Sequence, residues 1–175
     1  MSRFEFFIRT EVGCTRERNE DAFVAGRLST GQRGLAPQIR IQELGDCTAY
    51  LAVCDGMGGA AAGDVAAQLA AAQFAQTMEA GYPFSDIQGL HGSLLTSMQA
   101  ANRSIADHAR RNPEKQGMGS TMTAAYVTGS ELHIVHLGDS RAYLRRGRVL
   151  QQITTDHSVV GQMIATGQLT PEQAR

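Results

Sequence analysis

Hydrophobic positions along the chain change from the spacing of strands to that of helices and back again. In the first third, short apolar runs predict strands at residues 4–13, 22–25 and 48–54. The third of these runs is mostly apolar, which is typical of a buried strand. Residues 28–37 are rich in Gly, Ser, Thr and Gln and predict a loop. The first third of the chain is therefore predicted to be β-structure.

Two helices are predicted in the middle of the chain, because apolar residues there recur at three- and four-residue intervals. The first covers about residues 60–79 and ends at a turn-forming segment that contains Pro83. The second covers about residues 85–110 and ends before Pro113. The apolar stripes are Ala66, Leu69, Ala70, Phe74 and Met78 in the first helix, and Ile87, Leu90, Leu94, Met98, Ala101 and Ile105 in the second.

The last third returns to strand spacing. Residues 120–128 and 132–137 predict two strands joined by the turn signal Gly129-Ser130. A second pair, 141–145 and 149–153, is predicted around Arg146-Gly147, and a helix is predicted at 156–166. Strands, two long helices and strands again favour an α+β layered fold with antiparallel sheets.

The final residues carry the signature of a helix start. Thr170 is placed to be an N-cap, Pro171 to be the first helical residue, and Gln173 to close a capping box. The sequence stops at Arg175, barely one turn later. We interpret this as a single domain over residues 1–175 that is cut short, in preference to a frayed terminus.

Composition excludes several classes of protein. Of the 175 residues, 42% are hydrophobic and 19% charged, and the formal net charge is −1. This is typical of a soluble globular domain, and it gives no support to a nucleic-acid or anionic-lipid partner. No apolar run approaches the roughly 20 residues of a membrane helix. The three cysteines form no CxxC pair, and with no signal-peptide pattern they favour the cytoplasm.

Acidic residues cluster beside glycines or directly after predicted strands. The main clusters are residues 16–21, 55–59 and 138–141, and a weaker one covers 155–158. Carboxylates gathered at one edge of a sheet repel each other unless a positive ion lies between them. Hard divalent cations such as Mg²⁺, Mn²⁺ and Ca²⁺ prefer such oxygen ligands. The sequence therefore predicts a divalent-cation site.

Two other functions could be considered for these residues, a dinucleotide-binding loop and a catalytic histidine pair. The segment from Gly56 to Ala61 fits the glycine pattern of a dinucleotide-binding loop, which would indicate an oxidoreductase. Against it, Asp55 would lie beside the pyrophosphate, and no acidic residue ends a second strand at the expected spacing. His133 and His136 are predicted on opposite faces of one strand, so they cannot act as a catalytic pair.

Taken in order, the clusters resemble the metal-dependent protein phosphatases, the PPM family of type 2C serine/threonine phosphatases, in their bacterial branch. The matching motifs are Arg16-x-x-Asn-Glu20-Asp21, Asp55-Gly-Met-Gly-Gly59, Gly119-Ser-Thr121, Gly138-Asp-Ser-Arg-Ala-Tyr143 and Thr155-Asp-His-Ser158. The resemblance implies a four-layer α-β-β-α sandwich of two antiparallel sheets flanked by helices. It also implies hydrolysis of phosphoserine or phosphothreonine on proteins, opposite a serine/threonine kinase.

The resemblance also implies residue roles. Asp55 and Arg16 would be catalytic, with Arg16 holding the substrate phosphate. Two or possibly three Mn²⁺ or Mg²⁺ ions would be held by Glu20, Asp21, Asp55, Gly56 and Asp139.

The sequence departs from the family pattern at two points. Met57 stands where some members carry a histidine proposed as general acid. Two further aspartates of the family pattern do not follow Asp156. A phosphatase-like module that binds metal weakly, and acts in recognition or regulation, is therefore the alternative.

Overall fold

The computed structural model describes residues 2–30, 40–44, 48–58, 62–129, 131–158, 160–161, 163, 166–170 and 173. These residues form two helices and nine strands. The helices are α1 (Gly63–Gly81) and α2 (Ile87–Arg111). The strands are β1 (Ser2–Phe6), β2 (Asp21–Arg27), β3 (Arg40–Leu44), β4 (Thr48–Met57), β5 (Gly119–Ser120), β6 (Met122–Thr128), β7 (Glu131–Leu137), β8 (Tyr143–Arg146) and β9 (Val149–Gln152).

A five-stranded sheet is the framework of the molecule. Its strands lie in the order β2-β4-β6-β7, and the short β5 pairs with the end of β4. Two separate two-stranded sheets are formed by β1 with β3 and by β8 with β9. All strand pairings in the described part of the chain are antiparallel. Antiparallel pairing brings residues distant in sequence to the same end of the sheet.

Both helices lie on one face of the large sheet. Tyr50, Ala52 and Cys54 alternate along β4 toward this face and are buried. The alanines of α1 add little bulk, so the helix packs close to the sheet, and its Phe74 ring lies 6.0 Å from that of Tyr50. Leu90 and Leu94 of α2 extend the same core. On the opposite face of the sheet Val53 and Leu132 are about half exposed.

Sequence signals explain where the helices begin and end. The Asp86 side chain accepts a hydrogen bond of 2.8 Å from Gly89 N and so caps α2. Basic residues occupy the last turn of α2, where they favour the helix dipole. The segment predicted to separate the helices does so at residues 82–86. Among the described residues, no helix combines the length and the apolar character that crossing a bilayer requires.

Most predicted elements are confirmed, and some are corrected. The α+β class, with antiparallel sheets and helices, is confirmed, as are both helices and the strands at β2, β4, β6 and β7. The strand predicted at residues 4–13 is wrong beyond Phe6, because residues 7–12 are irregular. Strand β3 was not predicted, and the second hairpin turns at Gly147-Arg148, one residue later than expected.

The remaining predictions near the C-terminus are met in part. Of the helix predicted at 156–166, residues 160, 161 and 163 are helical, residues 156–158 are not, and four others lie outside the described residues. Most of the loop predicted at 28–37 also lies outside them. The predicted capping box forms: Thr170 N donates to Gln173 Oε1 at 2.9 Å and Gln173 N to Thr170 Oγ1 at 3.3 Å.

Candidate metal centre

Two aspartates face each other at one end of the large sheet. Asp21 opens β2 and Asp55 lies near the end of β4, and the antiparallel register pairs them directly. Side chains of directly opposed residues lie on the same face of a sheet, with Cβ atoms about 5 Å apart. Like charges at that separation destabilise each other. A positive ion or side chain near the two carboxylates would therefore stabilise the pair.

Asp139 reaches the same place from the loop after β7. Thr121 links this loop to β4, because Asp55 N donates to Thr121 Oγ1 at 3.0 Å and Thr121 Oγ1 lies 2.7 Å from Ser140 Oγ. Thr121 N in turn donates to Asp55 O at 2.8 Å. Thr121 belongs to one of the sequence motifs, but no role was predicted for it. The structure shows that it positions Asp55 beside the loop that carries Asp139.

Gly56 is buried beneath the site and has no room for a side chain. A Cβ atom at this position would lie 1.9 Å from Gly63 O and 2.9 Å from Glu20 O. Gly56 N donates to Glu20 O at 3.1 Å. Gly63 matters in the same way, since a Cβ there would lie 3.0 Å from Gly56 O. Glycine at position 63 leaves the Gly56 carbonyl uncovered by a side chain.

Arg16 and Glu20 form the opposite wall. Arg16 Nη1 lies 2.8 Å from Glu20 Oε2; the Arg16 side chain is 69% exposed and that of Glu20 only 18%. Both residues line a cavity of about 410 Å³ together with Asp55, Gly56 and Asp139. Asp21 and Asp55 line an adjoining cavity of about 240 Å³. The structure thus brings all six predicted site residues together across two neighbouring cavities.

Electrostatics single out Asp55. Burial raises the pKa of its carboxyl above the ordinary value, and the negative charges of Asp21 and Asp139 raise it further. Glu20 acts in the same direction, and Arg16 partly opposes them. The ionised form of Asp55 is therefore disfavoured in the folded chain alone. A divalent cation would remove this penalty.

The donor set fits a hard cation, although it is incomplete. Carboxylates and one uncovered backbone carbonyl are oxygen ligands of the kind that Mg²⁺ and Mn²⁺ prefer. Within the described part of the chain, however, no three Asp, Glu, His or Cys residues are close enough to hold an ion by themselves. Water or further residues must supply the remaining ligands. Met57, at the cavity rim and 56% exposed, has no proton to transfer.

The fourth acidic cluster has a different position. Arg141 holds Asp156 with both ends of its guanidinium, at 2.9 Å from Nε to Oδ1 and 2.7 Å from Nη2 to Oδ2. These hydrogen bonds keep the pKa of Asp156 below its usual value. His157 N also donates to Gly138 O at 2.7 Å. The segment 155–157 therefore clamps the Asp139 loop, which the sequence analysis did not predict.

Two sequence interpretations are decided by the same geometry. Residues 55–57 belong to strand β4 of an antiparallel sheet, whereas a dinucleotide loop follows a parallel strand, so the dinucleotide interpretation is wrong. His133 and His136 do lie on opposite faces of β7, as predicted. His136 contacts Thr123 and the Thr155 backbone, and His133 contacts His91.

Comparison with known proteins establishes the family. Residues 18–162 match the family model described as Protein phosphatase 2C, and the chain belongs to this family. It is similar to the serine/threonine protein phosphatase PstP of Mycobacterium tuberculosis, with 37% identity over 166 residues that cover 95% of this chain. It is also similar to the serine/threonine phosphatase stp of Listeria monocytogenes, with 35% identity over 122 residues that cover 70% of this chain.

Solved structures support the fold. The catalytic domain of PstP in complex with two manganese ions aligns with a TM-score of 0.74 and 35% identity over 99% of this chain. The S. agalactiae serine/threonine phosphatase aligns with a TM-score of 0.78 and 26% identity over 98%. The chain spans 63% of each of these two structures, 27% of the whole PstP protein and 48% of the Listeria protein.

Proposed function

We propose that this chain carries the metal-dependent hydrolysis of phosphoserine and phosphothreonine on proteins. The observation that carries the proposal is the convergence of Asp21, Asp55 and Asp139 beside Arg16 at one end of the sheet. Membership of the Protein phosphatase 2C family makes this the first chemistry to expect of the chain. The site also offers the two things the reaction needs, a cluster of oxygen ligands and an exposed cation for a phosphate.

The acidic residues would hold Mn²⁺ or Mg²⁺, as two and possibly three ions. Asp55 is the central ligand in this proposal, with Glu20, Asp21, Gly56 and Asp139 around it. When bound, the ions supply an activated water and neutralise phosphoryl oxygens.

Arg16 suits the phosphate, because its planar fork can make two charge-assisted hydrogen bonds. Its side chain is largely exposed and meets Glu20 through Nη1, so other donors of the guanidinium stay open to a substrate. Met57 at the rim cannot protonate the leaving group, so that proton comes from solvent.

A second candidate is a phosphatase-like module that binds its ions weakly and acts in recognition. The incomplete ligand set of the described residues favours it for these 175 residues taken alone. Both candidates share the same site and differ in turnover. The substrate would be a phosphoprotein in the cytoplasm, and the phosphatase would act in signalling in opposition to a serine/threonine kinase. The chain would form part of one phosphatase domain.

Hydrolysis of p-nitrophenyl phosphate with added Mn²⁺ separates the candidates. Manganese-stimulated turnover that is lost in Asp55→Asn supports the phosphatase. Mn²⁺ binding without turnover supports the recognition module, and neither binding nor turnover would contradict both.

Arg16→Ala tests the phosphate role in a chain that turns over. We expect KM to rise more than kcat falls, while the neighbouring exposed Arg18→Ala leaves both unchanged. An unchanged KM in Arg16→Ala would make the phosphate assignment wrong.

A further inference from the structure

His136 has no part in the reaction proposed above, yet it lies beside the acidic site. The register pairs Thr123 of β6 with both Val53 of β4 and His136 of β7. Val53 precedes Asp55 by two residues on β4, so their side chains lie on the same face of the sheet. His136 and Thr123 therefore lie on the face that carries the acidic residues, in the row next to Asp55.

Both ring nitrogens of His136 contact oxygen atoms around the Asp139 loop. His136 Nδ1 lies 2.8 Å from Thr123 Oγ1, and Nε2 lies 3.1 Å from Thr155 O. Thr123 Oγ1 is also 2.5 Å from Ser140 O, the carbonyl next to Asp139. The imidazole thus connects β6 to the segment that clamps the loop and, through the Thr123 hydroxyl, to the loop itself.

The chemistry of the acceptors fixes where the protons lie. Ser140 O and Thr155 O are carbonyl oxygens, which accept hydrogen bonds and cannot donate them. Thr123 has one hydroxyl proton, and it lies toward Ser140 O, because two oxygen lone pairs 2.5 Å apart would repel each other. His136 must then donate from Nδ1 to Thr123 and from Nε2 to Thr155. Donation from both nitrogens requires the protonated, positively charged imidazolium.

The charged groups around His136 fit an imidazolium. The pKa of the nearby Asp156 carboxyl is lowered, first by its hydrogen bonds to Arg141 and further by the charges of Arg141 and His136. The ring of His157 is also close, with its centroid 4.9 Å from that of His136. His157 Nδ1 accepts a hydrogen bond of 3.3 Å from Gly138 N, which requires that His157 be neutral. The two rings therefore carry one positive charge, and it lies on His136.

We propose that His136, in its doubly protonated form, is a positioning residue for the Asp139 loop. Through Thr123 it fixes the Ser140 carbonyl on one side of the loop. Through the Thr155 carbonyl it fixes the segment that clamps the loop from the other side. This role rests on the proposed function only for its consequence, which is that the affinity of the acidic site for Mn²⁺ depends on His136.

Nitrogen-15 NMR of the histidine rings tests the protonation state in the metal-free chain. At about pH 7 both ring nitrogens of His136 should carry protons, whereas His157 should carry a proton on Nε2 alone. The variant His136→Gln removes one set of signals and so assigns them. A neutral His136 ring at this pH would overturn the proposal.

Amide hydrogen exchange tests whether the ring holds the loop. Glutamine cannot donate from both ends of its amide, Thr123→Val removes the hydroxyl, and Thr123→Ser keeps it. We expect exchange across residues 138–142 to become about fivefold faster or more in His136→Gln and Thr123→Val, as loss of one hydrogen bond would give, but not in Thr123→Ser. His133→Gln, on the same strand but the opposite face, is the control. Equal acceleration in the control, or none in His136→Gln, would contradict the proposal.

The consequence for the metal is measured separately, by calorimetric titration with Mn²⁺. His136→Gln and Thr123→Val should weaken binding about tenfold, whereas Thr123→Ser and His133→Gln should bind as the wild type does. Wild-type affinity in His136→Gln would show that His136 does not position Asp139 for the ion, which also overturns the proposal. A wild-type chain that binds no Mn²⁺ would contradict the proposed function instead, and the two measurements on the metal-free chain would still decide the role of His136.

Discussion

The two ends of the large sheet follow the same strands but hold opposite chemistry. At one end, the cross-strand pair Asp21 and Asp55 meets Asp139 beside an open cavity. At the other end, one row crosses all four long strands and is largely aromatic. That row consists of Gly26, Tyr50, Tyr126 and His133.

The contacts at the aromatic end stabilise the fold, whereas the charges at the acidic end destabilise it and suit a functional site. In the aromatic row Tyr50 is fully buried, its ring occupies the space that a Cβ on Gly26 would need, and its hydroxyl donates to Glu79 Oε1 at 2.5 Å. Tyr50 therefore has both a packing partner and a hydrogen-bond partner that favour folding. At the acidic end the fold gathers like charges and raises the pKa of Asp55. Such a cost is typical of a site that a ligand completes.

The largest expected effect compares a glycine at each end. Gly56→Ala would place its Cβ 1.9 Å from the backbone oxygen of Gly63, and Gly26→Ala would place one 2.3 Å from the Tyr50 ring. Backbone moves less readily than a side chain, so we expect Gly56→Ala to cost about 3 kcal/mol or more and Gly26→Ala less. Urea unfolding measures both, and the reverse order would contradict the comparison.

Replacing Asp55 is expected to increase the stability of the metal-free chain, by less than the glycine substitutions decrease it. Because its folded pKa is raised, the folded chain binds this proton more tightly than the unfolded chain, and stability falls as pH rises through that pKa. Without metal at pH 7, Asp55→Asn should therefore raise Tm, but by no more than about 2–4 °C, because the Asp55 side chain is exposed and solvent screens part of the repulsion. Asp107→Asn on the exposed side of α2 serves as control. A lower Tm for Asp55→Asn in chelator would show that the acidic cluster is not strained.

The smallest expected effect concerns the clamp on the Asp139 loop. Arg141 lowers the folded pKa of Asp156, so this pair stabilises the fold above the unfolded carboxyl pKa near 4 and the contribution is lost as pH falls through the folded pKa. Asp156→Asn should lower the urea midpoint slightly at pH 7, and the two chains should converge once the pH falls below the folded pKa of Asp156. Arg141→Lys, which keeps the charge but loses the fork, should fall between them. A difference that persists at low pH would point to a cause other than ionisation.

Sequence periodicity predicted the helices well because each apolar stripe runs for many residues and ends at a clear signal. Strand β4 was equally clear, since it is a compact apolar run. Strand β3 has only five residues, three of them polar and without regular alternation, so neither its length nor its composition distinguishes it from a loop. The segment after Phe6 shares the composition of β1, yet it forms no ladder.

The site was predicted in its parts but not in its arrangement. The acidic clusters were visible because acids lie beside glycines or at strand ends, and the resemblance to the PPM family then assigned roles to Arg16, Glu20, Asp21, Asp55, Gly56 and Asp139. The direct pairing of Asp21 with Asp55 depends on register, and the Arg141–Asp156 fork depends on how a loop folds back over 15 residues. The contact between His91 and His133 joins residues 42 apart, and no local pattern records it.

The measurement that tests the central claim most directly is the affinity of the chain for Mn²⁺, by calorimetric titration of the wild type and Asp55→Asn. If the acidic residues converge to hold divalent ions, the wild type binds Mn²⁺ and the variant binds at least about tenfold more weakly. Asp107→Asn should bind as the wild type does. Equal affinity in the wild type and Asp55→Asn would contradict the account.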